Sequence, residues 1–477
     1  MYKKMEVFML SKEMANSIGF SFIVEKLKCF SYYGDENIRK INALLIDSVT
    51  LHSLSDSIKL VSCFQNILRF LELQPYQIVE IQNILSNIKN IGGIVKKLEY
   101  TYLSEVEIFE IKRFLLSLEK LIDLWNKTEV QLDGIKFTNM TDALNILDSQ
   151  NQRIAAFSIH DDDFPALKAA RQEKAQVEAL IDKHGITEEL VKKRAKIVAK
   201  EDKYEQAALR YLSSKLRPFV SSFMSNMENT GSFDFTLAKA ILAKQTGATC
   251  PKISSKSIRL ANMWNPKTNS ELEKKGRAFT KTSINIEPGA TVLIGANMGG
   301  KSVTIRTVLL NVLLANMGFF VFADKAEIPF LDDVFLIEEG VGDDFLSSFG
   351  AEVMQINDLV KSLEEKRLFV AMDEPARTTN PIEGTKIVRG IVKYLDMQES
   401  ISLISTHYAN VQECARAVYK TASFSYDGLS SANAESLHGF IKYEIKKVSP
   451  DEPIPAEAIN LCKILGMNPT LLAEIIK

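Results

Sequence analysis

At 477 residues the chain is long enough for two or three domains with their own cores, and 46% hydrophobic with 25% charged residues excludes a disordered or fibrous class. Lys and Arg (58) nearly balance Asp and Glu (60), so a net charge of −2 excludes a global basic field that would pull the molecule onto nucleic acid, leaving only local patches. Five cysteines, Cys29, Cys63, Cys250, Cys414 and Cys462, are scattered, odd in number and never spaced Cys-x-x-Cys, which argues for reduced thiols and against a disulfide framework or zinc site. The N-terminal apolar run Met5 to Leu10 is short and broken by Glu6, so no signal peptide is expected. The most apolar stretch, Val308 to Ala323, contains Asn311, Asn316 and Gly318 and reads as a buried helix running into a strand, not a membrane span. A soluble, cytoplasmic protein with no membrane partner is expected.

To about residue 245 helical spacing dominates. "IVEIQNILSNIKNIGGIVKKL" and "EVEIFEIKRFLLSLEKLIDLWNK" repeat apolar residues at three- and four-residue intervals, as one buried helix face requires. Pro165 opens a charged helical stretch, "PALKAARQEKAQVEALIDKHG", and a second is expected from about Lys200 to Met227. Gly185 and Gly231 punctuate their ends. Two long charged helices read either as extended levers or as ordinary solvated helix faces. Phe70-Leu71-Glu72 lies inside an amphipathic helix and reads as core.

Near residue 250 the texture changes. Short β-rich runs (Ser283 to Ile286, Thr291 to Ile294, Leu368 to Met372, Ile401 to Ser405) alternate with helical stretches, which predicts a mainly parallel sheet covered by helices. Within it, Gly295-Ala296-Asn297-Met298-Gly299-Gly300-Lys301-Ser302 fits G-x-x-x-x-G-K-[ST] without a mismatch. Glycines let backbone N–H groups turn inward around phosphate oxygens where a side chain would clash. Lys301 would reach the β- and γ-phosphates of ATP, Ser302 would coordinate Mg²⁺, and the helix through Val303 would point its positive end at the anion. The turn Glu287-Pro288-Gly289 and the strand after it supply the context that such a loop needs.

Leu368-Phe369-Val370-Ala371-Met372 is a buried-strand run ending in Asp373-Glu374, the Walker B arrangement. Asp373 would hold Mg²⁺ through its water shell and Glu374 would polarise the attacking water as general base. A third strand ends in Thr406-His407-Tyr408, placing His407 to sense the γ-phosphate.

In this order, "GANMGGKS", "MDE" followed by "TTNPIEG", and "STHY" resemble the ATPase domain of the MutS family of DNA mismatch-repair proteins, over roughly Cys250 to Lys477. The resemblance implies an α/β P-loop NTPase domain of MutS/ABC-like type (246–430), preceded by an all-α core and lever arm (1–245) and followed by a helix-turn-helix dimerisation segment (431–477). It places Phe279 where the family stacks an aromatic on adenine, although a core phenylalanine serves as well. It makes the tail "EAINLCKILGMNPTLLAEIIK" a dimer lock, against the plainer reading of a terminal amphipathic helix. It implies a homodimer with composite sites, in which Ser347 of "GDDFLSSFGAEVMQI" reaches the partner's nucleotide. Three departures stand out: the loop bearing Ser347 is several residues shorter than the family's, Thr378 replaces the family's glycine ahead of Thr379, and the family's base-contacting histidine has no counterpart, Tyr443 or Glu444 falling there.

No mismatch-reading domain is expected at the N-terminus, no DNA-gripping clamp in the Ile186 to Lys200 connection, and no endonuclease tail. Three readings follow. The first is a MutS-type ATPase whose helical arms bind a DNA structure, with "VKKRAKIVAK" (191–200) as a basic tip or a plain solvated helix. In the second, suggested by similarity to short MutS-like ATPases, the chain is a reactivating factor for an adenosylcobalamin-dependent aminomutase, with no DNA involved. The third is a generic ABC-type clamp, opposed by the absence of Leu-Ser-Gly-Gly.

Overall fold

Apolar stripes at helical spacing produce helices through the first half of the chain, and buried β-branched runs produce a sheet in the second. The structure is a computed structural model describing residues 12–44, 57–295, 299–338, 348–424, 441–452 and 466–476, together with Ile459 and Cys462. Packing divides it into two units, one of residues 1–27, 39–71 and 239–477, the other of residues 28–38 and 72–238. The first helices therefore group with the sheet, although their sequence texture is that of the helical half.

The helices in chain order are α1 (Lys12–Ile18), α2 (Phe20–Val24), α3 (Tyr32–Leu44), α4 (Ser57–Leu71), α5 (Pro75–Ser86), α6 (Gly92–Tyr100), α7 (Glu105–Asn126) and α8 (Thr141–Leu147). Ser104 caps α7 by accepting from Glu107 N–H while the Glu107 carboxylate reaches back to Ser104 N–H, and α7 then buries a stripe including Ile108, Ile111, Leu115, Leu118 and Trp125. Phe70 is fully buried in α4, as a core residue should be.

Two long helices follow, α9 (Pro165–His184) and α10 (Glu188–Leu216). Pro165 opens α9 and Gly185 closes it at φ +83°. The second helix begins twelve residues before the expected Lys200, because Thr187 accepts from Leu190 N–H and caps it there. The connection is thus Gly185 to Thr187 alone, and 191–200 is helix. Ion pairs lace the hairpin: Arg171 with Glu201 and Glu205, Lys174 with Glu201, Arg194 with Glu178, Lys200 with Glu173. Gly231, expected at a helix end, lies inside α11 (Val220–Thr246). A Cβ there would stand 2.8 Å from the Tyr33 carbonyl oxygen, so close approach and not chain termination requires glycine.

The remaining elements are β1 (Lys252–Ser254), β2 (Ile258–Met263), α12 (Pro266–Glu273), β3 (Thr282–Ile286), β4 (Gly289–Ile294), α13 (Lys301–Asn316), β5 (Lys325–Pro329), β6 (Asp333–Ile337), α14 (Ser348–Leu363), β7 (Leu368–Asp373), α15 (Pro381–Asp396), β8 (Ile401–Ser405), β9 (Ala417–Phe424), β10 (Ile441–Val448) and α16 (Pro469–Ile476). A four-stranded sheet runs β1-β5-β2-β3 and a six-stranded sheet runs β10-β9-β4-β8-β7-β6. Among the described residues of the larger sheet only β9 and β10 pair antiparallel. Every residue of β4, β6 and β8 is buried, which accounts for their continuous apolar runs. Each fully buried large aliphatic here contributes about 1.5–3 kcal/mol.

Val308 to Ala323 is helix to Asn316, as expected, but no strand follows directly. Val321 makes only an isolated bridge to Thr249, because the Asn311 side chain accepts from Phe322 N–H and that of Asn316 from Leu331 N–H. These two asparagines, polar interruptions in the sequence, tie the returning chain to the buried helix. Among the described residues no helix is long and apolar enough to cross a membrane.

Candidate functional site

Three neighbouring parallel strands fix the site. β4, β8 and β7 are in register with Leu293 opposite Ser405 and Ser405 opposite Asp373, so their C-terminal ends open on one edge of the sheet. Gly295, Asp373-Glu374 and Ser405 to His407 therefore lie along that edge, which is the place where open α/β sheets bind ligands.

Of the glycine-rich loop, Gly295, Gly299 and Gly300 are described, and Ala296, Asn297 and Met298 lie outside the described residues. Gly295 has φ +153°, and a Cβ on it would run into the Thr421 side chain and stand 2.8 Å from its carbonyl oxygen. Gly300 caps α13 at φ +87°. Both positions suit only glycine. Lys301, 4% exposed, donates from Nζ to Gly295 O at 3.0 Å and pairs with Glu374 Oε1 at 3.2 Å. Ser302 and Val303 follow half-buried in the first turn of α13. The lysine thus bridges the loop and the acidic end of β7, which the sequence presents some seventy residues apart.

Glu374 has two further partners, Arg377 at 3.6 Å and His407 Nδ1 at 3.8 Å. Asp373 accepts from Ser405 Oγ at 2.6 Å, and Glu374 N–H donates to the same hydroxyl at 2.9 Å. Ser405 therefore sets the two carboxylates relative to β8. The turn beyond is left-handed at two non-glycine residues, Glu374 (φ +53°) and Ala376 (φ +58°), each costing on the order of 1–3 kcal/mol. It is held by Tyr408, whose hydroxyl donates to Ala376 O at 2.6 Å, and by Glu352, whose Oε1 accepts from Ala376 N–H at 2.7 Å. Burial, then the carboxylates of Glu352 and Glu374, push the Tyr408 hydroxyl pKa up.

Gly384, in the first turn of α15, makes room for that hydroxyl. A Cβ there would collide with Tyr408 Oη and stand 2.7 Å from Cζ. Gly384→Ala is expected to lose more by overpacking, about 1–3 kcal/mol, than the roughly 1 kcal/mol that alanine gains in a helix. The check is a lower denaturation midpoint than that of the parent protein.

Phe279 is half-buried in the irregular stretch between α12 and β3. Tyr443 is the unexpected neighbour: β10 bulges between Lys442 and Ile445, and a Cβ on Gly300 would stand 3.4 Å from the Tyr443 ring. Ser347 lies outside the described residues. Reading the sequence alone missed Ser405, Glu352, Gly384 and the role of Tyr408. Only Ser405 and Tyr408 carried a signal, as polar residues flanking a strand end.

Among the described residues no three His, Cys, Asp or Glu side chains cluster to hold a metal by themselves. A hydroxyl at Ser302 and a carboxylate at Asp373 would, together with phosphate oxygens, suit Mg²⁺, which takes few protein ligands. The paired positive-φ glycines, the buried ammonium and a helix N-terminus fit a polyphosphate.

Residues 291–451 match the family model MutS domain V. Among similar curated proteins, endonuclease MutS2 of Leuconostoc mesenteroides is 30% identical over 245 residues, half of this chain and 30% of that protein. DNA mismatch repair protein MutS of Streptococcus suis is 25% identical over 298 residues, 60% of this chain and 34% of that one. Endonuclease MutS2 of Streptococcus pyogenes serotype M5 is 24% identical over 423 residues, covering 86% of this chain and 51% of its own length. The chain thus spans about a third to a half of the length of these relatives.

Proposed function

We propose, from the match of residues 291–451 to MutS domain V and the geometry of the strand ends, that this chain is an ATPase whose cycle switches helical arms engaged on a DNA structure. The observation that carries the reading is the Lys301 ammonium standing between Gly295 O and Glu374 Oε1, which joins the phosphate loop to the acidic strand end. Phosphate oxygens would compete for that ammonium, loosening Glu374 toward the attacking water. In this reading Glu374 is the general base, His407 lies beside it to meet the γ-phosphate, and Phe279 and Tyr443 flank the base. Ser302 and Asp373 would hold Mg²⁺, which would supply positive charge to offset that of the phosphates.

A second copy of the chain completes the proposal. α16 buries none of its residues and exposes Leu471, Ile475 and Ile476, an apolar face suited to a self-complementary contact. Ser347 would then serve the partner's nucleotide.

The DNA part of the reading rests on the relatives' names and on the α9–α10 hairpin. Its basic run 191–200 is partly committed, since Lys192, Arg194 and Lys200 pair within the hairpin. Any phosphate contact there is therefore modest. The test is the ATPase rate with duplex and branched DNA at salt between about 50 and 200 mM. Stimulation that fades with salt is expected, and a rate indifferent to DNA throughout would remove DNA from the account.

A further inference from the structure

Glu352 has no part in the chemistry assigned above, yet it grips the backbone two residues beyond the proposed base. It stands half-buried in the second turn of α14, and its Oε1 accepts from Ala376 N–H at 2.7 Å. Tyr408 holds the other side of the same residue through Ala376 O. Ser405 holds Glu374 N–H. The backbone of the turn with two left-handed non-glycine residues is thus held by Ser405, Tyr408 and Glu352, the last from α14, while Lys301 pairs with the Glu374 side chain. Without this acceptor, Ala376 N–H, on a residue only 1% exposed, would lose its hydrogen bond in a buried position. A turn in a sparsely populated conformation persists only while its surroundings over-determine it.

We infer that Glu352 is a positioning residue of the proposed ATPase site, fixing the Glu374 carboxylate by holding Ala376 N–H from α14. The inference rests on the ATPase reading, and it assigns Glu352 the role of acceptor, not of charge. Glutamine keeps a carbonyl oxygen at the same reach, whereas aspartate keeps the charge but withdraws it by one methylene.

The experiment compares steady-state ATP hydrolysis of the full chain as parent, Glu352→Gln, Glu352→Asp and Glu352→Ala, and of Glu352→Ala combined with Glu374→Gln. Expected are a kcat within about threefold of the parent for Gln, and a loss of roughly ten- to hundredfold for Asp and Ala, with KM for ATP little changed. In the Glu374→Gln background Glu352→Ala should cost nothing further, because the group it positions has already lost its function. The order Asp above Gln, losses that multiply in the double variant, or an Ala variant as fast as the parent would overturn the inference. Should Ala fail to fold, the Gln-against-Asp order decides by itself. A parent with no ATP hydrolysis would instead sink the ATPase reading, so the two failures are distinguishable.

Discussion

Lys301→Ala is expected to abolish measurable ATP hydrolysis and to weaken nucleotide binding by about ten- to a hundredfold, the loss of a charge-assisted hydrogen bond in a buried site. Lys301 is 4% exposed and already placed, with Gly295 O and Glu374 Oε1 as its partners, so little ordering is required when phosphate oxygens replace them. Alanine keeps the helix that begins at residue 301, being the best helix former. It leaves Glu374 near Arg377 and His407, so the carboxylate does not lose every compensating neighbour. The expected phenotype is therefore a folded protein with a defective site. A variant that melts far below its parent would mean that Lys301 is chiefly a structural ion pair.

Glu374→Gln should separate the two halves of the cycle. The amide is isosteric, and its backbone N–H still meets Ser405 Oγ, so the turn survives. What disappears is the proton acceptor, a loss of about 10²- to 10⁴-fold in turnover for a general base. Binding should hold or tighten, since removing the carboxylate frees Lys301 for phosphate. Hydrolysis by the Gln variant at the parental rate would show that another group accepts the proton. His407, whose Nδ1 lies 3.8 Å from Glu374 Oε2, would be the first to test.

How much of this was legible beforehand depends on how local each signal is. The strand ending in Asp373-Glu374 was readable because a buried apolar run writes its geometry into consecutive residues, and the glycine spacing marked the positive-φ positions Gly295 and Gly300. Strand β8 was readable with its bounds for the same reason. The start of α10 was misplaced by twelve residues. Of the run 188–200 only Ile197 is buried, and the signal that mattered was the cap at Thr187. Gly231 was read as a helix end because the Tyr33 carbonyl that crowds it lies two hundred residues away. Glu352 looked like any charged helix residue, since its partner's left-handed backbone is not visible in the letters Pro-Ala-Arg. Tyr443 was noted only as standing where a histidine was expected. The bulge that puts it beside Gly300 belongs to strand pairing, not to sequence pattern. Site geometry supplied by distant segments is what the sequence withholds.

The central claim is that one triphosphate is held between the loop ending at Lys301 and the carboxylates at 373 and 374. A calorimetric titration of the full chain with ATP and Mg²⁺, run in parallel on Lys301→Ala, tests it most directly. Saturable binding by the parent, weakened about tenfold or more in the variant, is the expected result. No saturable binding by the parent, or equal affinity in the two proteins, would contradict it.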